Sequence, residues 1–80
     1  MKRLGRFSIS AQQIADDPET VRAIMGWCIP LSVTWDAEAG QYTYEGLSEG
    51  FAEIEDGAPV PAYTATRFKN EGIVQFYPAG

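Results

Sequence analysis

The chain has no histidine, one cysteine and only six basic residues among its 80. Each shortage excludes a class of chemistry. Without histidine there is no Ser-His-Asp or Cys-His catalytic pair, and no side chain that titrates near neutral pH unaided. A single Cys28 forms no internal disulfide, and one Cys with no His makes no Cys/His zinc site. As a lone nucleophile, Cys28 would need a nearby cation or a helix N-terminus to lower its pKa. It follows an expected helix C-terminus instead, whose dipole disfavours a thiolate. Within Trp27-Cys28-Ile29 it therefore reads as a small buried residue. Walker A and dinucleotide fingerprints are missing, since Gly46 and Gly50 lack that spacing. No apolar run reaches the ~20 residues of a membrane helix. The basic start, Met1 to Phe7, is not followed by the apolar segment of a signal peptide. The expectation is a soluble, cytoplasmic protein with no cofactor, no metal and no membrane partner.

What is present is the composition of a globular protein: 45% hydrophobic residues, with two Trp, four Tyr and four Phe. Eighty residues make one domain, 1–80, and a domain this small is marginally stable. Without disulfide or metal, self-association is the expected extra support, in the simplest case as a homodimer. Trp27, Trp35, Tyr42, Tyr44, Tyr63 and Tyr77 are more aromatic residues than so small a core must hide. Some are expected at a contact surface, although core filling is the expected role of either Trp.

Leu4–Ser10 reads as a strand with Phe7 and Ile9 on one face. Ser10 resembles a helix N-cap, with Gln13 as its capping-box partner. Asp17-Pro18-Glu19 carries a second start signal, a cap followed by Pro at the first helical position. Val21, Ile24 and Met25 then form an apolar stripe that Gly26 suits to close. This is either two helices or one kinked at Pro18. In 28–35, Ile29, Leu31, Val33 and Trp35 alternate with Cys28, Pro30, Ser32 and Thr34, the clearest strand in the chain. Pro30 cannot donate to a ladder, which places it at an edge or a strand start. Asp36–Gly40 reads as a hairpin loop, returning through Tyr42 and Tyr44. Residues 46–57 are ambiguous, with a short strand available at Phe51–Glu55. Segments 62–68 and 73–77 form a terminal hairpin. The pattern predicts an α+β fold: a small antiparallel sheet of four to five strands, with one or two short helices (11–26) packed on one face.

The formal net charge is −5. An average chain of this length holds roughly ten acids and ten bases. Eleven acids are ordinary here, and the imbalance is a shortage of Lys and Arg. Between Arg22 and Arg67 there is no base, while Asp36, Glu38, Glu45, Glu49, Glu53, Glu55 and Asp56 all fall in that gap. Direct nucleic-acid binding is disfavoured by this balance. A calcium loop lacks its alternating Asp/Asn ligands. A carboxylate-pair hydrolase needs a cleft that so short a chain hardly builds. The acids thus read either as a solvated surface or as the site that meets a basic partner.

In type, the chain resembles small acidic phage-encoded inhibitor proteins of the anti-CRISPR kind. The residues that carry the resemblance are the base-free stretch Asp36–Asp56 and its segment GLSEGFAEIEDG, together with the missing catalytic set. The resemblance implies a non-enzymatic protein-interaction module, an acidic inhibitor that binds the basic nucleic-acid-binding surface of a host complex. Its site would be Asp36, Glu38, Glu45, Glu49, Glu53, Glu55 and Asp56. The alternative is a structural or assembly protein, a phage component or an obligate oligomer, held by apolar and aromatic contacts.

Overall fold

The computed structural model describes residues 1–79, which form an α+β fold. Strand β1 (Lys2–Ser10) leads into helices α1 (Ala11–Asp16) and α2 (Pro18–Gly26). Strands β2 (Ile29–Asp36), β3 (Gln41–Leu47), β4 (Glu53–Ile54), β5 (Ala62–Phe68) and β6 (Ile73–Pro78) follow. Five of the six strands lie abreast in the order β2-β3-β1-β5-β6, and β4 pairs with the start of β1. The expected class is found, with one addition. The sheet is mixed rather than wholly antiparallel, because β1 and β5 run parallel over Arg6↔Ala62 and Phe7↔Tyr63.

Local chemistry sets the helices as the sequence predicts. The Ser10 hydroxyl accepts the Gln13 N–H at 3.0 Å and caps α1. Asp17 breaks the chain between the helices and caps α2, accepting the Thr20 N–H and the Thr20 hydroxyl proton. With Pro18 in the first turn of α2, two helices form rather than one kinked helix. Gly26 does not supply a left-handed cap. It stays helical, and α2 ends at Trp27, whose N–H bonds the Ile24 carbonyl.

Side chains at alternate positions divide the sheet into two faces. Phe7 and Ile9 of β1, Tyr63 of β5 and Val74 of β6 are buried with Ile24 of α2, Cys28 and Phe51. Half-buried Val21, Met25, Tyr44 and Phe76 pack around them. Arg67 donates from Nη1 to the Thr20 hydroxyl at 3.3 Å, tying α2 over β5. The opposite face, with Arg6, Ser8, Thr43 and Thr64, carries no helix. A helix is about 10 Å across and strands lie ~4.8 Å apart, so α2 shields about two of the five strands abreast. It packs on β5, touches β6 and the start of β2, and leaves the rest of β2 bare.

Candidate protein-interaction surface

The seven acids expected to form a site are placed in three locations. Asp36 and Glu38 stand exposed at the β2–β3 turn, where the Asp36 carboxylate accepts the Glu38 and Ala39 N–H groups. Glu49, Glu53, Glu55 and Asp56 lie exposed beyond the other end of β3, around β4. The seven residues of β3 separate the two groups by ~20 Å. Glu45 sits between them, half-buried on the open face. The fold therefore does not gather all seven into one patch.

It also supplies the bases that the local sequence lacks. Strand β1 runs beside both β3 and β4, placing Arg6 opposite Glu45 and Arg3 opposite Glu53. Arg3 Nη2 stands 3.6 Å from Glu53 Oε1, and Arg3 Nη1 donates to the Phe51 carbonyl at 2.9 Å. Opposite charges facing one another across a sheet attract. Two of the seven acids are thus set against cations, which leaves Asp36 and Glu38 at one end and Glu49, Glu55 and Asp56 at the other.

The segment GLSEGFAEIEDG is anchored rather than loose. Phe51 is 1% exposed and inserts beside Phe7, Tyr63 and Phe76. The Ser48 hydroxyl donates to the Trp27 carbonyl at 2.6 Å, and the Ala52 N–H donates to the Tyr63 hydroxyl at 2.9 Å. Gly5 gives Phe51 and Tyr63 their room, since a Cβ there would lie 2.8 Å from the Tyr63 ring. The acidic side chains of the segment, with Ala52, point to water.

The unexpected feature is β2. Every one of its eight residues is exposed, including Ile29 at 65%, Leu31 at 60%, Val33 at 54% and Trp35 at 48%. Trp27, just before it, is also 48% exposed, so neither Trp fills the core as expected. A bulge between Pro30 and Ser32 breaks the expected single face. Ile29 pairs with Leu47 on the open face, whereas Val33 and Trp35 pair with Tyr44 and Tyr42 on the helix side. Trp35 packs on Tyr42 with ring centroids 4.7 Å apart. An edge strand has one side of its backbone unpaired, and a long apolar edge is a template for another strand.

Behind the strip, Trp27, Cys28, Ile29, Leu47 and Glu49 line an open hollow of about 540 Å³ with Lys2 and Arg3 at its margin. Cys28 is buried in its wall, as expected, and desolvation pushes its thiol pKa up, away from the reactive thiolate. No group of three or more potential metal ligands clusters among the described residues. No helix among them is long and apolar enough to cross a membrane. The alternating apolar run in 29–35 was the available signal for this surface, but alternation does not tell a covered face from a bare one. No family model, no curated protein and no solved structure matches the chain, so any functional reading rests on this geometry.

Proposed function

We propose that the chain is a protein-interaction module whose contact surface is the apolar edge strand β2. The single observation that carries this reading is the exposure of Ile29, Leu31, Val33 and Trp35 together in one edge strand. A soluble monomer rarely keeps this much large apolar side chain along one unpaired edge in water, and such exposure marks contact sites. Backbone groups along the edge supply hydrogen bonds to an added strand, and alternate side chains supply specificity. Trp is among the residues that dominate interface energies. The assembly reading of the sequence is thereby preferred to the acidic one.

A second reading keeps the acids. Glu49, Glu55 and Asp56 are exposed at one end of the sheet and have no ion-pair partner among the described residues. They support an inhibitor of the anti-CRISPR type that occupies a basic nucleic-acid-binding surface, with the tip acids Asp36 and Glu38 too far away to join them.

One binding experiment separates the two. Tagged protein is used to capture partners from lysate at about 0.1 M and about 1 M salt, where the screening length falls from ~10 to ~3 Å. Native protein is compared with a Val33→Lys/Trp35→Lys variant and a Glu49→Lys/Glu55→Lys/Asp56→Lys variant. The edge reading expects retention at high salt and loss only in the β2 variant. Loss at high salt and in the acid variant alone would replace it with the acidic reading.

A further inference from the structure

We propose that the partner of β2 is β2 of a second copy, the two strands pairing antiparallel about a two-fold axis through Thr34. This inference rests on the reading of β2 as the contact surface and names its occupant. The two halves of the strand differ. Pro30 and the bulge at Leu31 blunt the first half, because Pro has no N–H and a bulge interrupts the register. The second half, Ser32 to Asp36, pairs regularly with β3 and holds no Lys, no Pro and no bulge. It is an open, regular five-residue template.

An axis through Thr34 uses this half and no other part. Val33 of each copy then faces Trp35 of the other, twice over, an aromatic-to-β-branched pair of the kind that stabilises sheets. Each Trp35 is already backed by Tyr42, so the four side chains and their two Tyr neighbours close one apolar cluster on the helix side. On the open face Thr34 meets its counterpart. This extends a hydroxyl row that already runs through Thr43 to Ser8, whose oxygens lie 3.0 Å apart. Asp36, the single charge of the strand, faces Ser32 of the other copy. The two Asp36 residues stand about four residues apart along the ladder, ~13 Å, beyond the ~8 Å screening length of physiological salt. A strand that meets itself antiparallel therefore places no like charges opposite each other. An antiparallel two-fold also closes after two copies, which removes the exposed edge rather than propagating it.

The area sets the strength. Val33 and Trp35 give each copy on the order of 200 Å² of exposed apolar surface, well short of the about 800 Å² per partner in a standard interface. The dimer is accordingly weak and reversible.

The test is sedimentation of the purified native chain from about 10 µM to about 1 mM, the range in which a weak dimer forms. It is joined to oxidative cross-linking of Thr34→Cys, Ser32→Cys and Asp36→Cys variants. The expected result is a mass that rises toward twice the monomer and no further, a midpoint at least tenfold higher for Trp35→Lys, and cross-linked dimer from Thr34→Cys. Cysteines at positions 32 or 36 sit too far from their own counterparts to bridge, and native Cys28 is buried. Mass growing beyond the dimer, or dimer unaffected by Trp35→Lys, would overturn the proposal. So would equal cross-linking at all three positions. A monomer at every concentration would overturn it too. If capture still depended on β2, only the second copy would then be ruled out and the contact surface would stand. If capture ignored β2, both would fall.

Discussion

Phe51 lies in the most acidic part of the chain, yet it is one of the two fully buried phenylalanines, and its removal should be among the most damaging single changes. The ring is stacked on Tyr63 at 4.7 Å and meets Phe76 edge-on at 4.6 Å, with Phe7 at 6.4 Å. Phe51→Ala removes a fully buried ring and leaves a cavity that stiff aromatic neighbours fill poorly, at a cost of about 3–5 kcal/mol. Aromatic pairs contribute about 0.5–1.5 kcal/mol each beyond area, which places the loss at the upper end of that range. An 80-residue domain has about 4–12 kcal/mol in total, so the variant stands at the edge of unfolding. Phe51→Leu keeps most of the apolar volume and gives up the ring contacts, a loss of about 1–2 kcal/mol. Urea unfolding followed by far-ultraviolet circular dichroism measures both. Tryptophan fluorescence is the poorer probe, since Trp27 and Trp35 are already half-exposed in the native fold. A Phe51→Ala loss below about 1 kcal/mol would refute the reasoning, because no buried Phe is that cheap to delete.

Gly46→Ala should be costly for a different reason. Its Cβ would collide with the Ile29 carbonyl oxygen and lie 2.8 Å from Cys28 Sγ. The backbone of β2 must then shift, at about 2–3 kcal/mol by the same denaturation assay. Asp17 should make stability sensitive to acid. The Thr20 hydroxyl is the main cause of its lowered pKa; burial opposes, and the Thr20 N–H, Lys69 and Arg67 add to the lowering. A carboxyl depressed in the fold gives stability that is complete above its unfolded pKa and is lost as pH falls through the lower folded value. Asp17→Asn keeps a capping acceptor but cannot titrate, so the melting temperatures of native and variant should converge in acid and diverge toward neutral pH. The buried, protonated Cys28 thiol should react with a thiol reagent at neutral pH far more slowly in the native protein than in urea, and equal rates would show it exposed.

Much of the fold was legible because its causes are local. Ser10 and Asp17 cap helices through bonds to residues three positions on, and Gly40 and Gly72 take the positive φ their turns need. Phe7 and Ile9 alternate inward as a half-buried strand requires. What the sequence hid depends on which distant strand lies alongside. The absence of bases from 23 to 66 is a real feature of the chain, but β1 restores cations beside Glu45 and Glu53. The parallel β1–β5 pair joins segments more than fifty residues apart and has no local signature. Phe51 sits among glycines and acids, and nothing nearby marks it as core. The bulge at Leu31 splits an apparently uniform alternation between two faces. The bareness of Trp35 follows from the width of one short helix against five strands, a matter of tertiary coverage. The candidate site therefore moved from the acids to the neighbouring edge strand.

The most direct test of β2 as the contact surface is residue-resolved amide hydrogen exchange across Ser32–Asp36. It would be measured in dilute protein, again at about 1 mM, and again with any captured partner bound. An unpaired edge leaves the outward-pointing amides of this segment exchanging freely in dilute solution, and their protection should rise when the edge is occupied. Exchange that stays unchanged in every state, while protection appears elsewhere on the molecule, would contradict the account.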